Sequence, residues 1–206
     1  MQVFLEDLIQ RDKGKEREMV VYEGNQPVYL SENSAFTTVT QEDKPLVVSA
    51  WLGGAMAITG DTSATFRHTS GSNLLIVGQQ DETTTNLIHS SLLSLDSQYS
   101  TGGAKFLVLD GTPKDASHSG VIARTTAGMT NEVQSIGVRD VEQAMALLNE
   151  ELQKRMQEES STSPSIFFVV NALHRFRDLR RDEDDYGYSV GGEDKQKTAS
   201  QILAEV

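Results

Sequence analysis

The chain has 206 residues, of which 37% are hydrophobic and 23% are charged, and its formal net charge is −12. This length supports one substantial core, alone or with a small appended module. The negative charge opposes DNA binding, because affinity for a polyanion depends on Lys and Arg displacing counterions from phosphates. We therefore expect the chain alone to be a poor DNA binder.

The absence of cysteine excludes disulfides and thiolate metal sites, and it favours a cytosolic chain. No apolar run approaches the roughly eighteen residues that a membrane span needs, and the N-terminus lacks the basic start and cleavage site of a signal peptide. The four histidines are scattered without the spacing of metal ligands. We expect a soluble, cytoplasmic protein with no direct membrane contact and no metal site.

The first part of the chain predicts a small β-rich segment. An apolar patch near the N-terminus passes into a charged run that is typical of a helix end. Between Met19 and Ile58, short runs rich in β-branched and aromatic residues are broken by Gly and Pro, and these predict strands: MVVY, PVYL, AFTTV, LVVSAWL and MAI. We predict an N-terminal helix and β-rich lead-in over residues 1–45, followed by a main domain over residues 46–206.

The main domain opens with a pattern that predicts a strand, a glycine turn and a helix. Residues 73–77 (NLLIV) form a continuous apolar run that Gly78 ends, and apolar residues then recur at helical spacing from Leu87 to Leu95. A second apolar strand is predicted at Lys105–Leu109, before the loop signal Asp110-Gly111-Thr112-Pro113. The unit is therefore predicted to be β-α-β.

The second half repeats the alternation of strands and helices. A short strand is predicted around residues 133–138, a helix capped by Asp140 follows, and residues 166–170 (IFFVV) form a third apolar strand. This alternation predicts an α/β fold with a mostly parallel sheet covered on both faces. Because the chain stops in a short helix with no strand after it, we expect a fragment of a longer protein, incomplete at its C-terminus.

The glycine turn matches half of a phosphate-binding loop. The pattern GxxxxGK[ST] falls on residues 78–85, where Gly78 and Thr85 fit but Thr83 replaces the second Gly and Thr84 replaces the Lys. Backbone N–H groups of such a loop bind phosphates, and its last hydroxyl binds Mg²⁺. The candidate nucleotide-binding residues are Gly78, Gln79, Gln80, Thr83, Thr84 and Thr85. Asp81 and Glu82 would repel a triphosphate, so ATP with Mg²⁺ is expected to bind weakly or not at all.

The second half of such a site, a carboxylate at the end of an apolar strand, is also missing. The run IFFVV is followed by Asn171 and Ala172, and neither side chain accepts a proton at neutral pH. We therefore predict no catalytic residue. The alternative interpretation is that Gly78 is a tight turn in some other α/β fold, and the spacing alone does not decide between the two.

Several ordered segments resemble one family over roughly Leu46–Arg181. The segment SGSNLLIVGQQDETTTNLIHSSLLSL is similar to the core strand, phosphate loop and first helix of FtsK/SpoIIIE-type ATPases, relatives of HerA and of the type VII secretion motor EssC. The preceding WLGGAMAITGDTSATFRHTSGSN resembles their lead-in, KFLVLDGTP resembles their second strand, and FFVVNALHRFRDLR lies where they carry a strand ending in Asp-Glu.

This resemblance implies a RecA-like P-loop NTPase core that assembles into hexameric rings around DNA or a secreted polypeptide. Gly78 and Thr85 match the family's phosphate turn and magnesium ligand, whereas Thr84, Asn171 and Ala172 depart from its Lys, Asp and Glu. The resemblance thus implies a degenerate domain for assembly or regulation of a DNA-translocase or secretion-type motor. Its partners would be other domains or subunits of a ring. The alternatives are an active ATPase completed by other parts of a longer protein or by a neighbouring subunit, and a nucleotide-independent protein-interaction module.

A basic segment near the end of the main domain has two interpretations. Arg175 is the best candidate for a residue that acts on a neighbouring subunit, as an arginine finger does. However, acidic residues surround the segment, so a salt-bridged surface is the favoured interpretation. The run DEDD at residues 182–185 lacks the ligand spacing of a calcium loop and is expected to be a solvated loop.

Overall fold

A computed structural model describes residues 27–54, 60–69, 71–157, 163–180 and 198–205 of the chain. The strands are β1 (Val47–Gly53), β2 (Thr62–Arg67), β3 (Ala104–Asp110), β4 (Glu132–Ile136) and β5 (Ser165–Asn171). The helices are α1 (Ser34–Thr37), α2 (Asp81–Ser97), α3 (Val121–Ala127), α4 (Val141–Gln157) and α5 (Ala199–Glu205), with short 3-10 turns at Leu30–Glu32, Leu173–Arg175 and Arg177–Leu179.

The centre of the fold is a three-stranded parallel sheet in the order β4-β3-β5. The three strands are joined through helices, as parallel neighbours require, because a parallel connection must return along the sheet. Phe106 on β3 lies opposite Val133 on β4 and Phe167 on β5, and the Phe106 and Phe167 rings stack at 5.1 Å. The predicted α/β class and the parallel sheet are confirmed.

Each face of the sheet is covered by its own apolar cluster. On one face, β3 contributes Phe106 and Val108, which pack with apolar side chains of β1, α2 and α3. On the other face, β3 contributes Leu107 and Leu109, which pack with α4, α5 and the 3-10 turns after β5. Because successive side chains of a strand point to opposite faces, the continuous apolar run of β3 supplies both clusters.

The two remaining strands form an antiparallel hairpin that α2 holds through polar side chains. β1 pairs with β2, with a register shift between Trp51 and Gly53. At the C-cap of α2, the Gln98 amide donates to Ser49 O at 2.8 Å and its Oε1 accepts from Ser49 N at 2.9 Å. One turn earlier, on α2, Ser94 Oγ accepts from Trp51 N at 3.0 Å. Two side chains spaced four residues apart at the end of α2 therefore replace a neighbouring strand for β1.

Three of the predicted strands are wrong. Residues 73–77 form no strand, because no backbone hydrogen bond joins them to a neighbouring strand, and Leu75 and Val77 are 76% and 85% exposed. The runs PVYL and AFTTV instead contain 3-10 and α-helical turns, where the Asn33 side chain accepts from Phe36 N at 2.9 Å. Such a helix cap outweighs the β preference of a short run. The run LVVSAWL is confirmed as β1, whereas MVVY, MAI and the N-terminal helix lie outside the described residues.

Two elements were not predicted. β2 (TSATFR) carries a period-two signal, since Ala64 and Phe66 are half-buried and their neighbours are exposed. Helix α3 lies in a stretch rich in small residues between the predicted strands. It begins after Gly120, whose φ of 75° favours glycine, and it buries Ile122 and Thr125 at helical spacing.

One buried carboxylate joins the end of α2 to the starts of two strands. Asp96 is 6% exposed, and its Oδ2 accepts from Thr130 N and Thr130 Oγ1, both at 2.8 Å. Its Oδ1 accepts from Asn131 N at 3.0 Å and Asn131 Nδ2 at 2.9 Å. Asn131 Oδ1 in turn accepts from Gly102 N at 2.9 Å and Ala104 N at 3.3 Å. All four hydrogen bonds of Asp96 are lost together if its side chain is removed.

We predict that Asp96→Ala lowers the free energy of unfolding by about 3 kcal/mol, because it removes two hydrogen bonds to Thr130 and leaves two donors of the buried Asn131 without their partner. Urea unfolding followed by circular dichroism measures the change. The control Glu150→Ala removes an exposed carboxylate and is expected to change stability by no more than about 0.5 kcal/mol. Equal effects of the two substitutions would contradict the role given to Asp96.

A second prediction concerns His89, whose Nδ1 lies 2.6 Å from Thr125 Oγ1 on α3. Burial lowers the pKa of His89 below its ordinary value of 6.5. The unfolded chain therefore binds a proton more readily, and the contribution of His89 to stability is complete above about pH 6.5 and declines as the pH falls through that value. We expect His89→Gln to show a smaller loss of thermal midpoint between about pH 7.5 and about pH 5 than the wild type does. The same pH dependence in both proteins would contradict this.

Candidate nucleotide site at the carboxyl edge of the sheet

The candidate phosphate loop is a turn that leads directly into α2. Gln80 has extended backbone angles, and its carbonyl accepts from Thr84 N at 3.0 Å, so the helix begins at Asp81. The first N–H groups of a helix have no partner within it and point towards its N-terminal end, which favours an anion there. Gly78 has no positive φ, and a Cβ placed on it would meet only Thr84 Oγ1, at 3.4 Å. The turn therefore does not itself require a glycine at this position.

Two threonines of the motif donate local hydrogen bonds, and the third is buried. Thr83 Oγ1 donates to Gln80 Oε1 at 3.0 Å, and Thr84 Oγ1 donates to Gln80 O at 3.2 Å. Thr85, the expected magnesium ligand, is 1% exposed and is the fifth residue of α2. For any of these hydroxyls to reach a phosphate or a magnesium ion, an existing hydrogen bond or a buried position must be given up.

Two carboxylates occupy the end of α2 where a phosphate would lie. Asp81 and Glu82 are exposed and belong to the first turn of the helix. Their charges interact favourably with the partial positive charge of the helix N-terminus. They also oppose a polyphosphate, because like charges repel at this distance. The arrangement stabilises the helix and weakens the site for ATP.

At the carboxyl ends of β3 and β5, three polar side chains form a closed hydrogen-bonded cluster. Asp110 and Asn171 are paired neighbours in the sheet. Asp110 Oδ1 accepts from Thr112 N at 3.0 Å, from Thr112 Oγ1 at 2.5 Å and from Asn171 Nδ2 at 3.0 Å, and Asn171 Nδ2 also donates to Thr112 Oγ1 at 2.8 Å. The sequence analysis missed Asp110 and Thr112 as site residues and took them only for a loop signal.

The backbone beside this cluster is strained. Ala172 has φ 58° and ψ 52°, and it is the only residue other than glycine with a positive φ in the described ranges. A Cβ on the adjacent Gly111 would lie 3.0 Å from Asn171 O and 3.2 Å from Ala172 O, so β3 and β5 approach each other closely here. Strained residues of this kind concentrate at functional sites in α/β proteins, and ligands of open parallel sheets bind at the carboxyl ends of the strands.

One cavity of about 1330 Å³ connects these parts of the site. Gly78, Asp81 and Thr85 border it on the α2 side, and Thr112 and Asn171 border it at the carboxyl edge of the sheet. The structure therefore brings the two halves of the predicted site to one cavity. Gln79, Gln80 and Thr83 do not line it.

Arg175 also lines this cavity and is exposed at the end of a 3-10 turn. It forms no ion pair with any described residue, whereas Arg180 Nη2 donates to His174 O at 2.6 Å. The Asp-rich run 182–185, which was expected to neutralise the basic segment, lies outside the described residues. Arg175 is therefore available in the described part of the chain to meet an anion.

The described residues hold no group of three or more His, Asp or Glu side chains that could bind a metal ion. Of the helices described, none combines the length and apolar character needed to cross a bilayer. The chain matches no family model, and it has no significant match among curated proteins or solved structures.

We predict that Ala172→Gly raises the free energy of unfolding by about 1 kcal/mol, because glycine removes the penalty of a Cβ in the left-handed region. Ala146→Gly is the matched control. Ala146 is exposed in the middle of α4, where the same substitution is expected to lower stability by about 0.5–1 kcal/mol. Urea unfolding measures both changes, and a loss of stability in both variants would contradict the strain at Ala172.

Proposed function

We propose that this chain is a degenerate ATPase-like domain with a RecA-like core, which serves assembly or regulation of a ring-forming DNA-translocase or secretion-type motor and hydrolyses little or no ATP. Three features support the proposal. They are the parallel sheet, the glycine turn leading into α2, and the resemblance of several ordered segments to FtsK/SpoIIIE-type ATPases. DNA or a secreted protein would be contacted only through the larger assembly.

The observation that carries the proposal is the state of Asn171. In an ATPase of this type, the strand-end position holds an acid that binds magnesium or activates water. Asn171 is 3% exposed, and its Nδ2 donates to both Asp110 and Thr112. An amide accepts no proton at neutral pH, and this one is held in a cluster that closes on itself. The position serves packing at the sheet edge instead of catalysis.

The phosphate end of the site supports the same conclusion. A lysine that reaches the β and γ phosphates is replaced by Thr84, whose hydroxyl donates to Gln80 O. Losing one such charge-assisted hydrogen bond costs about 1.5–3 kcal/mol of binding free energy. Asp81 adds repulsion at the same place. ATP binding tighter than millimolar is therefore not expected.

A nucleotide-independent protein-interaction module is the second candidate function, and a specific observation favours it. Leu75 and Val77 belong to a wholly apolar run, and both are mostly exposed in the described structure. Ile76 between them is half-buried and packs against the apolar cluster, so two large apolar side chains stay exposed beside an anchored one, as at an interaction surface. The two candidates differ in whether ATP has any effect on the chain.

Calorimetric titration of the chain with Mg·ATP separates these functions. We expect no binding tighter than about 1 mM, which corresponds to about −4 kcal/mol. Thr85→Ser and Thr85→Val form the matched pair of variants, because serine keeps the hydroxyl and valine keeps the shape. Circular dichroism establishes that both variants are folded.

Binding that is tighter than millimolar, kept by Thr85→Ser and lost by Thr85→Val, would overturn the proposal of a dead site. Measurable ATP hydrolysis by the chain in the same assay would favour the active ATPase. If no binding is found, sedimentation velocity is expected to give the same oligomeric state with and without Mg·ATP. A nucleotide-dependent change of that state would contradict the proposal.

A further inference from the structure

The outer edge of β5 is open in the described structure. β5 pairs with β3 from Ser165 to Asn171, and no described strand pairs with its other side. A parallel strand directs N–H and C=O groups to both sides, so a row of backbone donors and acceptors on β5 faces away from β3. The difference in burial agrees with this geometry. Residues 106–109 of the central strand β3 are buried, whereas residues 165–170 of β5 are all half-buried.

The cavity of about 1330 Å³ lies along this open edge. Its lining includes Phe167 and Val169 from one face of β5 and Phe168 and Val170 from the other face, but no residue of β3. A cavity that touches both faces of β5 without touching β3 must pass around the outer edge of β5. The space therefore continues the plane of the sheet.

Helices from both layers extend past β5 and enclose this space. Ile88 and Leu92 of α2 line it from one layer, and Leu148 of α4 and Leu203 of α5 line it from the other. An occupant in the plane of the sheet would thus have an apolar wall on each face. A strand buried in this way is apolar on both faces, like β3 and unlike a strand with one solvated side.

The segment of residues 74–77 also lines the cavity, and two of its apolar side chains have little cover. Leu75 is 76% exposed, and Val77 is 85% exposed. The cavity is thus bordered both by an unpaired strand edge and by exposed apolar side chains. One kind of occupant, an extended apolar segment of polypeptide, would both pair with the strand edge and cover the exposed apolar side chains.

The charged residues that line the cavity indicate which charges should flank that occupant. Lys44, Arg67, Arg155 and Arg175 line it, against the acids Asp81 and Glu151, and Arg155 Nε pairs with Glu151 Oε1 at 2.9 Å. Among the described lining residues, three cations and one acid remain once this pair is set aside, although the whole chain carries a net charge of −12. The cationic border favours an acidic segment as the occupant, whereas the net charge of −12 on each copy of the chain opposes docking of a second copy, because like charges repel.

We propose that this cavity accepts a strand from a partner protein, in the form of an extended segment of about five to seven residues that is apolar on both faces and flanked by acidic residues. The length follows from β5, whose seven residues span about 23 Å at about 3.3 Å per residue. The segment pairs with the free edge of β5, which is the recognition mode called β-augmentation. This inference concerns the open edge of β5 and does not depend on whether the chain binds a nucleotide.

The test uses the fluorescein-labelled synthetic peptide EDVIVVIDE and measures its fluorescence anisotropy with the full chain. Two control peptides share its composition apart from one feature. In one, proline replaces the central valine and removes a backbone donor, and in the other, lysines replace all four acids. We expect EDVIVVIDE to bind with a Kd of about 1–100 µM and each control peptide to bind at least about tenfold more weakly.

Two variants of the chain locate the site. Leu75→Asp places a charge on the apolar segment of residues 74–77 that lines the cavity, and it is expected to weaken binding at least about tenfold. Met156→Asp is the matched control, because Met156 is 74% exposed and does not line the cavity, and it is expected to leave the Kd within about twofold. Hydrogen exchange of the amides of residues 166–170 is expected to slow when the peptide is bound.

Four results would overturn the proposal. These are no binding at about 1 mM peptide, equal binding of the proline-containing peptide, equal effects of Leu75→Asp and Met156→Asp, and no slowing of exchange in β5. Sedimentation velocity adds a further check on the occupant. If the chain forms a dimer that Leu75→Asp dissociates and that excludes the peptide, the occupant is a second copy and the proposed partner is wrong. A failure of Mg·ATP binding leaves each of these results unaffected.

Discussion

The buried carboxylate of Asp96 is the interaction on which the rest of the structure depends. Through Thr130 and Asn131 it joins the end of α2 to the chain before β4, and Asn131 extends the contact to the first residues of β3. β3 is the central strand and supplies side chains to both apolar clusters. A carboxylate in this position is stable because each oxygen accepts two hydrogen bonds, which replaces its lost hydration. The network therefore fixes the C-terminal end of α2 against the strands of the sheet.

The same helix also explains why the candidate site has few polar groups that are free to bind a ligand. The direction of α2 brings its N-terminus to the cavity at the carboxyl edge of the sheet, where an anion would be favoured. The local sequence counters this advantage, since Thr83 and Thr84 bond to Gln80 and two carboxylates follow. At the strand ends, Asn171 Nδ2 already donates hydrogen bonds to Asp110 and Thr112. The helix N-terminus therefore favours an anion, whereas the side chains around it do not bind one. This conflict is the physical basis of the proposed loss of ATP hydrolysis.

Two of the four edge strands in the described structure, β1 and β5, differ in how their outer edges are covered. The edge of β1 is covered by Ser94 of α2 and by Gln98, which follows α2, and both side chains bond to the backbone of β1. No described side chain bonds to the outer edge of β5 in this way, and that edge faces a cavity with apolar walls. An unpaired edge of this kind is a template for another strand. Helix side chains therefore satisfy the backbone groups at the edge of β1. The backbone groups at the outer edge of β5 remain open to another strand in the described structure.

Sequence patterns alone determined four elements: β3 and β5 from their continuous apolar runs, and the amphipathic helices α2 and α4 from their helical periodicity. They could not determine whether residues 73–77 form a strand, because an apolar run predicts burial, whereas a strand also requires a neighbour with free backbone groups. The candidate site was predicted only in part. Gly78, Thr85 and Asn171 were named as candidates from the sequence, but Asp110 was not. Asp110 and Asn171 are 61 residues apart and meet only because β3 and β5 pair in register. Pairing, cavities and buried hydrogen bonds join residues distant in the chain, so only the tertiary structure decided them.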